Sequence, residues 1–357
     1  MRDAPLPPRA GRQAAERARK SKPARKGRRP RIWLRLFFSL LGAAIIFLAA
    51  FAGYLYVQTQ SAIRDIADQS GAEVASADRA QVKPLGFLLL GLDSRKETGS
   101  LNTDVMMVAA LNPNTKTATV VTIPRDSLLG LDGYKREKAN AYYAGFLRYA
   151  QTTEKLKGED AKQYAREKTR EMYEKFFGVD LDYTAVINFQ GFADVVDALG
   201  GIDVYVDQDM RYVDHADGTN INLKKGEQTL TGQQALDFVR YRKSNDGTRQ
   251  SSDFERNDRQ SRVLGAILDK LKSLDGVARL GNVIAAVGGN MRTDIPEAQI
   301  QNLMKTYFGL SRDHVRFIAL EGTWRSPYVY LDDAKLEEAK LALKEELAPE
   351  GRSVQSP

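Results

Sequence analysis

Leu85–Asp93 reads LGFLLLGLD, a run in which every position before the closing aspartate is apolar or glycine. A strand with one wet face alternates apolar and polar residues. A strand-length run without alternation is expected where both faces are covered, as in α/β sheets. Working outward, Asp104–Leu111 (DVMMVAAL) is a second apolar run, Asn112–Thr115 (NPNT) carries turn chemistry, and Thr117–Ile123 (TATVVTI) returns. The two runs therefore read as a hairpin. Pro124 stops it, and Arg125 and Asp126 follow. Asp93, Asp104, Arg125 and Asp126 thus collect at the ends of consecutive buried strands, where α/β sheets tend to bind ligands.

The same reading carries down the chain. Lys138–Ala150 and Thr152–Phe177 read as helices, and Leu181–Asn188 and Ile202–Val206 as strands. Between those strands, an amphipathic helix over Gly191–Leu199 turns Phe192, Val195, Val196 and Leu199 inward and ends on Gly200-Gly201. Asp207–Gly226 is a polar loop or small hairpin, and Thr231 caps a helix running to about Phe238. Helices follow over Asn257–Leu274, Arg279–Met291 and Pro296–Phe308, then a strand over Val315–Leu320 and a Lys/Glu/Ala/Leu-rich helix from Leu331.

Upstream, the chemistry changes. The 357-residue chain carries a formal charge of +7, but residues 1–31 hold 12 Lys or Arg against Asp3 and Glu16, which leaves 41 basic against 44 acidic residues beyond them. The basic character belongs to one Pro/Arg/Ala-rich tail whose composition predicts disorder. Leu36–Val57 then offers 22 uncharged residues, with Trp33, Tyr54 and Tyr56 near the ends. As a helix, that length spans a hydrocarbon core of roughly 30 Å. The Arg-rich tail stays in the cytoplasm under the positive-inside bias, so the rest of the chain is exported and no nucleic-acid partner is needed to explain the charge. A cleaved signal peptide, cut after Ala50-Phe51-Ala52, is the alternative; the apolar run is longer than a signal core of about 7–15 residues. Gln58–Val82 reads as a spacer.

There is no cysteine, and His215 and His314 are the only histidines. A disulfide framework, a thiol nucleophile and a thiolate metal site are therefore excluded, and a histidine-rich metal site or a Ser-His-Asp triad has little material. No GxxxxGK[ST] phosphate loop occurs.

The second informative stretch is Asp237–Arg262, DFVRYRKSNDGTRQSSDFERNDRQSR. Arg240 and Arg242 are two apart, so an extended backbone would point both guanidinium groups to one side. Asp253, Arg256 and Gln260 share one face if their segment is helical. Arginine forks suit diphosphate because they donate parallel hydrogen bonds and stay charged. Asp93 and Asp104 could share a hard divalent cation, Mg2+ or Mn2+, with water and phosphate oxygens completing the shell. Together with Arg125, these groups would form a metal-plus-arginine clamp around a diphosphate, suited to phosphoryl transfer.

FLLLGLDSR, NTDVMMVAALNP, TIPRDS, the KAN of Lys138–Asn140, DALGGIDVYV, GEQTLTGQQALDFVRYR and DFERNDRQ occur in the order found in the LytR-CpsA-Psr family. The chain resembles that family from about Leu85 to Leu274. The resemblance implies a three-layer α/β/α sandwich with a central mixed β-sheet and a long apolar cleft, preceded here by one transmembrane helix. It divides the chain into a cytoplasmic tail (1–35), an anchor (36–57), a spacer (58–82), an extracellular catalytic domain (83–330) and a C-terminal helix and tail (331–357). The implied activity is transfer of a polyprenyl-diphosphate-linked glycopolymer, such as wall teichoic acid or capsular polysaccharide, to the muramic acid 6-hydroxyl of peptidoglycan at the cell membrane. Carried over by motif, Asp93 and Asp104 resemble the metal ligands, and Arg125, Arg240, Arg242 and Arg256 the diphosphate clamp. Asp253 and Gln260 complete or orient it, and Arg95 is a further phosphate contact.

Two departures stand out: Asn102 where many members carry arginine, and a long Lys243–Ser252 segment that could alter polymer or acceptor preference. Hydrolysis of a polyprenyl diphosphate and non-catalytic isoprenoid binding are the alternative functions. Asp104, Asp253 and a metal-bound water are all open candidates for the general base.

Overall fold

The structure, a computed structural model, describes residues 64, 67, 73–94, 101–215 and 218–352, all within the second of two compact units, Leu55–Pro357. The basic tail, the apolar run Leu36–Val57 and Arg95 lie outside the described residues. Among the described residues no helix is long and apolar enough to cross a membrane.

The LGFLLLGL run forms β1 (Leu85–Ser94), and the predicted hairpin forms β2 (Leu101–Asn112) and β3 (Thr117–Thr122). Short strands β4 (Leu128–Leu129) and β5 (Glu137–Lys138) pair with each other before helices α1 (Tyr142–Thr152) and α2 (Gly158–Phe177). Next come β6 (Tyr183–Asn188), α3 (Phe189–Ala198), β7 (Ile202–Val206), a β8–β9 hairpin (Met210–Asp214, Thr219–Leu223) and β10 (Gly226–Leu230). Helices α4 (Gly232–Arg240), α5 (Asp253–Lys272) and α6 (Leu274–Asn290) lead to β11 (Met291–Thr293) and α7 (Glu297–Tyr307). The chain closes with β12 (Val315–Ala319), a β13–β14 hairpin (Gly322–Arg325, Tyr328–Leu331) and α8 (Asp333–Leu347).

Six strands make the central mixed sheet, in the order β11-β6-β1-β2-β3-β12. β1 and β2, like β2 and β3, are antiparallel, whereas β6 runs parallel to β1 and β12 parallel to β3. Strand side chains alternate between faces, so an unbroken apolar run supplies two cores. Leu88, Leu90, Met106, Val108 and Val121 pack with Tyr143, Tyr173, Phe177 and Leu343 from α1, α2 and α8. Phe87, Met107, Ala109 and Val120 pack with Leu264, Leu268, Ile300 and Leu303 from α5 and α7. The result is a sheet sandwiched between helices. A third core lies between β7–β10 and α3–α6, built on Val196, Ile202, Leu230 and Phe238.

One local expectation is corrected. Arg240 does not sit on extended backbone: it is the last residue of α4, whose Thr231–Gln234 capping box and buried Ala235, Leu236, Phe238 and Val239 hold the segment helical. The backbone leaves the helical region only at Tyr241 (φ −55°, ψ 119°). The following helix starts earlier than expected, at Asp253, because Ser252 and Glu255 form a second capping box.

Candidate active site

The pairing directions bring the ends of β1, β3 and β6 and the start of β2 to one edge of the sheet. β1 delivers Asp93 there. β2 delivers Asp104 through a bulge: Gly91 pairs with Val105 and Leu92 with Thr103, so Asp104 is the extra residue. A bulge bends a strand and re-aims its side chains. Gly91 allows the close approach, since a Cβ there would lie 2.8 Å from Val105 Cβ. β3 delivers Arg125 just past Pro124.

Against this edge stands the Asp237–Arg262 segment. Tyr241 between Arg240 and Arg242 is fully buried, its hydroxyl bonded to Thr248 Oγ1 (2.8 Å) and the Arg249 carbonyl (2.9 Å). Burying the middle residue sends both neighbours to one place. Arg240 and Arg242 line a cavity of about 410 Å³ together with Asp93, Asn102, Asp104, Arg125, Arg256 and Gln260. Arg256 and Gln260 come from one face of α5, as their spacing requires. The backbone of Asp253 opens α5, but its side chain lies outside the described residues, as does Arg95.

Among these lining residues, four guanidinium groups face two carboxylates. Arg125 Nη1 bonds Asp104 Oδ1 at 2.6 Å, and Arg240 Nη2 stands 3.8 Å from Asp93 Oδ2, with its Cζ 4.9 Å above the Phe189 ring. Arg256 is 9% exposed. Burial, then the charges of Arg125 and Arg242, pull its pKa down to about 10, against the pull of Asp104 and Asp126. It stays protonated at neutral pH, so like charges are held together at an energetic cost that a bound anion relieves. Burial opposes the charge on Arg125 too, yet Asp104 and Asp126 raise its pKa overall. A diphosphate diester carries two negative charges, which matches the excess of cations.

The donor set also permits a cation. Two aspartates from adjacent strands suit Mg2+ or Mn2+, which commonly keep waters and take substrate phosphates beside one or two carboxylates. Among the described residues no group of three or more acidic or histidine side chains forms a closed cage.

Beside the charged cavity lies an apolar groove of about 220 Å³. Leu89, Met107 and Ile187 from the sheet and Phe192, Leu236 and Leu264 from α3, α4 and α5 are among its walls. Val105, Phe189, Val239 and Gln260 line both spaces, so groove and cavity meet.

Sequence reasoning placed Asp126 among the strand-end residues but assigned no role to it or to Lys138. Lys138 Nζ bonds Asp126 Oδ1 at 2.8 Å, and Asp126 Oδ2 lies 3.6 Å from Arg125 Nε. Burial works to raise the Asp126 pKa, but Lys138 and Arg125 hold its carboxyl below the ordinary range. Both residues fall in the quoted TIPRDS and KAN blocks, which were the available signal. Arg259, in DFERNDRQ, turns away from the cavity: it is 1% exposed, forks onto Asp207 at 2.7 and 2.8 Å, and bonds Ser251 Oγ at 2.8 Å. Nothing in the sequence separates it from Arg256. Phe189 carried no signal at all.

Comparison with known proteins places this geometry among relatives. The chain is 30% identical over 288 residues to the polyisoprenyl-teichoic acid–peptidoglycan teichoic acid transferase TagU of Bacillus mycoides, covering 78% of this chain and 84% of TagU. It is 28% identical over 330 residues to the transferase TagV of Bacillus subtilis, covering 88% and 79%. The crystal structure of B. subtilis TagV superposes with a TM-score of 0.56 over 74% of this chain and 97% of that one. The structure of TagT bound to LIIa-WTA superposes at 0.54 with 28% identity, over 75% and 92%. Residues 53–345 match the family described as LytR_cpsA_psr, and the chain belongs to the LytR-CpsA-Psr family.

Proposed function

We propose that this chain transfers an anionic glycopolymer from a polyprenyl-diphosphate carrier to peptidoglycan. The observation that carries the reading is the junction of an arginine-lined cavity with an apolar groove through four shared residues, which fits a diphosphate bearing a lipid on one side. The names of TagU, TagV and TagT as teichoic acid transferases support it. The muramic acid 6-hydroxyl oxygen attacks the sugar-bearing phosphorus and the bond to the bridging oxygen breaks. A phosphodiester results, and the hydroxyl proton leaves with the polyprenyl phosphate.

In this reading Arg125, Arg240, Arg242 and Arg256 hold the diphosphate and stabilise the charge that grows on the departing phosphate. Gln260, at the seam between cavity and groove, positions the phosphate next to the lipid, and Asp253 orients the clamp. Asp93 and Asp104 would hold Mg2+ or Mn2+, which would supply charge shielding of the phosphate oxygens. Arg95 adds a phosphate contact. Leu36–Val57 anchors the chain in the cell membrane with its N-terminus inside and the catalytic domain outside, where a lipid-linked donor and the wall meet.

The test uses the full chain with labelled donor and peptidoglycan. Arg240→Ala and Arg242→Ala are each expected to slow transfer by about 10²–10³-fold while the melting temperature holds. Chelation stops transfer, and Mg2+ restores it. Normal transfer by both variants overturns the reading, and phosphate release with no polymer on peptidoglycan assigns hydrolysis instead.

A further inference from the structure

The charged cavity opens two ways. It meets the apolar groove through Val105, Phe189, Val239 and Gln260, and through Asn102 it meets a second cleft of about 680 Å³. Groove and second cleft share no lining residue. This cleft is polar, with Lys138, Asn140, Arg148, Gln151 and Tyr328 among its walls. Lys138 Nζ stands 5.9 Å from the Trp324 ring centre and 6.0 Å from that of Tyr328. Trp324 is 46% exposed, although its cross-strand partner Val329 is buried. An open aromatic ring beside amide and charged side chains is the combination that binds a saccharide: the C–H face of a sugar covers the ring, and its hydroxyl and acetamido groups take the hydrogen bonds.

We infer that this cleft holds the acceptor, a strand of acetamido sugars that presents a primary hydroxyl to the diphosphate; the inference rests on the transfer reading above. In-line displacement puts the attacking oxygen opposite the leaving one. The leaving phosphate carries the lipid toward the groove, so the hydroxyl enters from the side away from it, past Asn102. The two ends are also linked. Lys138, under the rings, bonds Asp126, which pairs with Arg125 of the clamp. Of the β13–β14 hairpin, Tyr328 lines the cleft and Trp324 stands next to it across Lys138.

The experiment measures KM for each substrate with the full chain in detergent, a synthetic polyprenyl-diphosphate saccharide as donor and soluble uncrosslinked peptidoglycan strands as acceptor. Trp324→Ala and Arg148→Ala alter exposed side chains, and circular dichroism checks that the fold is kept. Each is expected to raise the acceptor KM about tenfold with the donor KM within about twofold, and Trp324→Phe to recover most of the loss. A raised donor KM with an unchanged acceptor KM would give the cleft to the donor polymer and overturn the inference, as would two unchanged values. If the wild-type chain transfers nothing, the transfer reading fails by itself. Titration with glycan strands alone then still tests the cleft, which stands if wild type binds them and Trp324→Ala does not.

Discussion

Two arginines three residues apart on α5 show how neighbouring, chemically identical side chains divide the work. Arg256 faces the cavity among like charges, whereas Arg259 faces inward, forked onto Asp207 and flanked by the Phe238 and Tyr241 rings at 5.5 and 5.9 Å. Through Ser251 Oγ and, at 3.4 Å, the Tyr241 carbonyl, it ties the segment carrying Arg242 to α5. Removing one partner of a buried pair strands the other, so Arg259→Ala should lower stability by about 3 kcal/mol, measured by urea denaturation. The same pair sets a pH dependence. Burial raises the Asp207 pKa, but the Arg259 fork outweighs it and holds the carboxyl below its ordinary value. A depressed pKa stabilises the fold above the ordinary carboxylate value of about 4 and loses that contribution as pH falls through the folded-state value. Asp207→Asn should therefore be less stable at neutral pH and flatten the acid limb of the stability profile. Asp126 leaves part of that limb in place, since its pKa is also lowered. A variant as acid-sensitive as wild type would refute the assignment. The clamp position of Arg256 was legible from the face it shares with Gln260, but the inward turn of Arg259 was not, because what a helical face packs against is set by neighbours far along the chain.

At the scale of elements, α4 is the part whose placement matters most, since Arg240 is its last residue. Its first residue, Gly232, lies against α3: a Cβ there would sit 2.1 Å from the Ala193 carbonyl oxygen. Backbone cannot yield as a flexible side chain can, so Gly232→Ala must push the two helices apart. The expected cost is about 1–3 kcal/mol of stability. Transfer should fall by more than the folded fraction explains, because the far end of α4 moves with the near end. Thr231→Ala is the control. It removes the cap at about 1 kcal/mol but leaves the packing, so transfer below the melting temperature should stay close to wild type. Equal activity of the two variants would separate α4 placement from Arg240 function. The cap at Thr231 was legible in the sequence, whereas the Ser252-x-x-Glu255 box that starts α5 was missed. The extended reading of Arg240–Arg242 failed because buried Phe238 and Val239 extend α4 to Arg240.

Across the whole molecule, the C-terminal helix is a structural member of the sheet sandwich. Ala339, Ala342 and Leu343 of α8 join the core on one face of the sheet. Glu346 is fully buried and accepts hydrogen bonds from Thr117 and Thr119 of β3 and, at 3.1 Å, from Arg352 Nε. Asn112 at the end of β2 bonds the Glu346 and Ala348 carbonyls at 2.8 and 2.7 Å. These contacts lie at the sheet edge opposite the cavity. Glu346→Ala should therefore cost about 3 kcal/mol in denaturation while KM for donor and acceptor stays unchanged; a change in KM at full folding would show coupling across the sheet. From the sequence alone came the α/β class, five of the six central strands with β11 missed, and the identity of Asp93, Asp104, Arg125, Arg240, Arg242, Arg256 and Gln260 as candidates. These follow from side-chain type and short-range period, which act within a few residues. The tertiary structure alone decided that seven residues from β1, β2, α4, α5 and the loops after β3 and α4 share one cavity, that Arg259 leaves it, and that an apolar groove and a polar cleft flank it. Those facts depend on strand order, a bulge at Asp104 and the docking of α4 against α3, all set by packing between residues far apart in the chain.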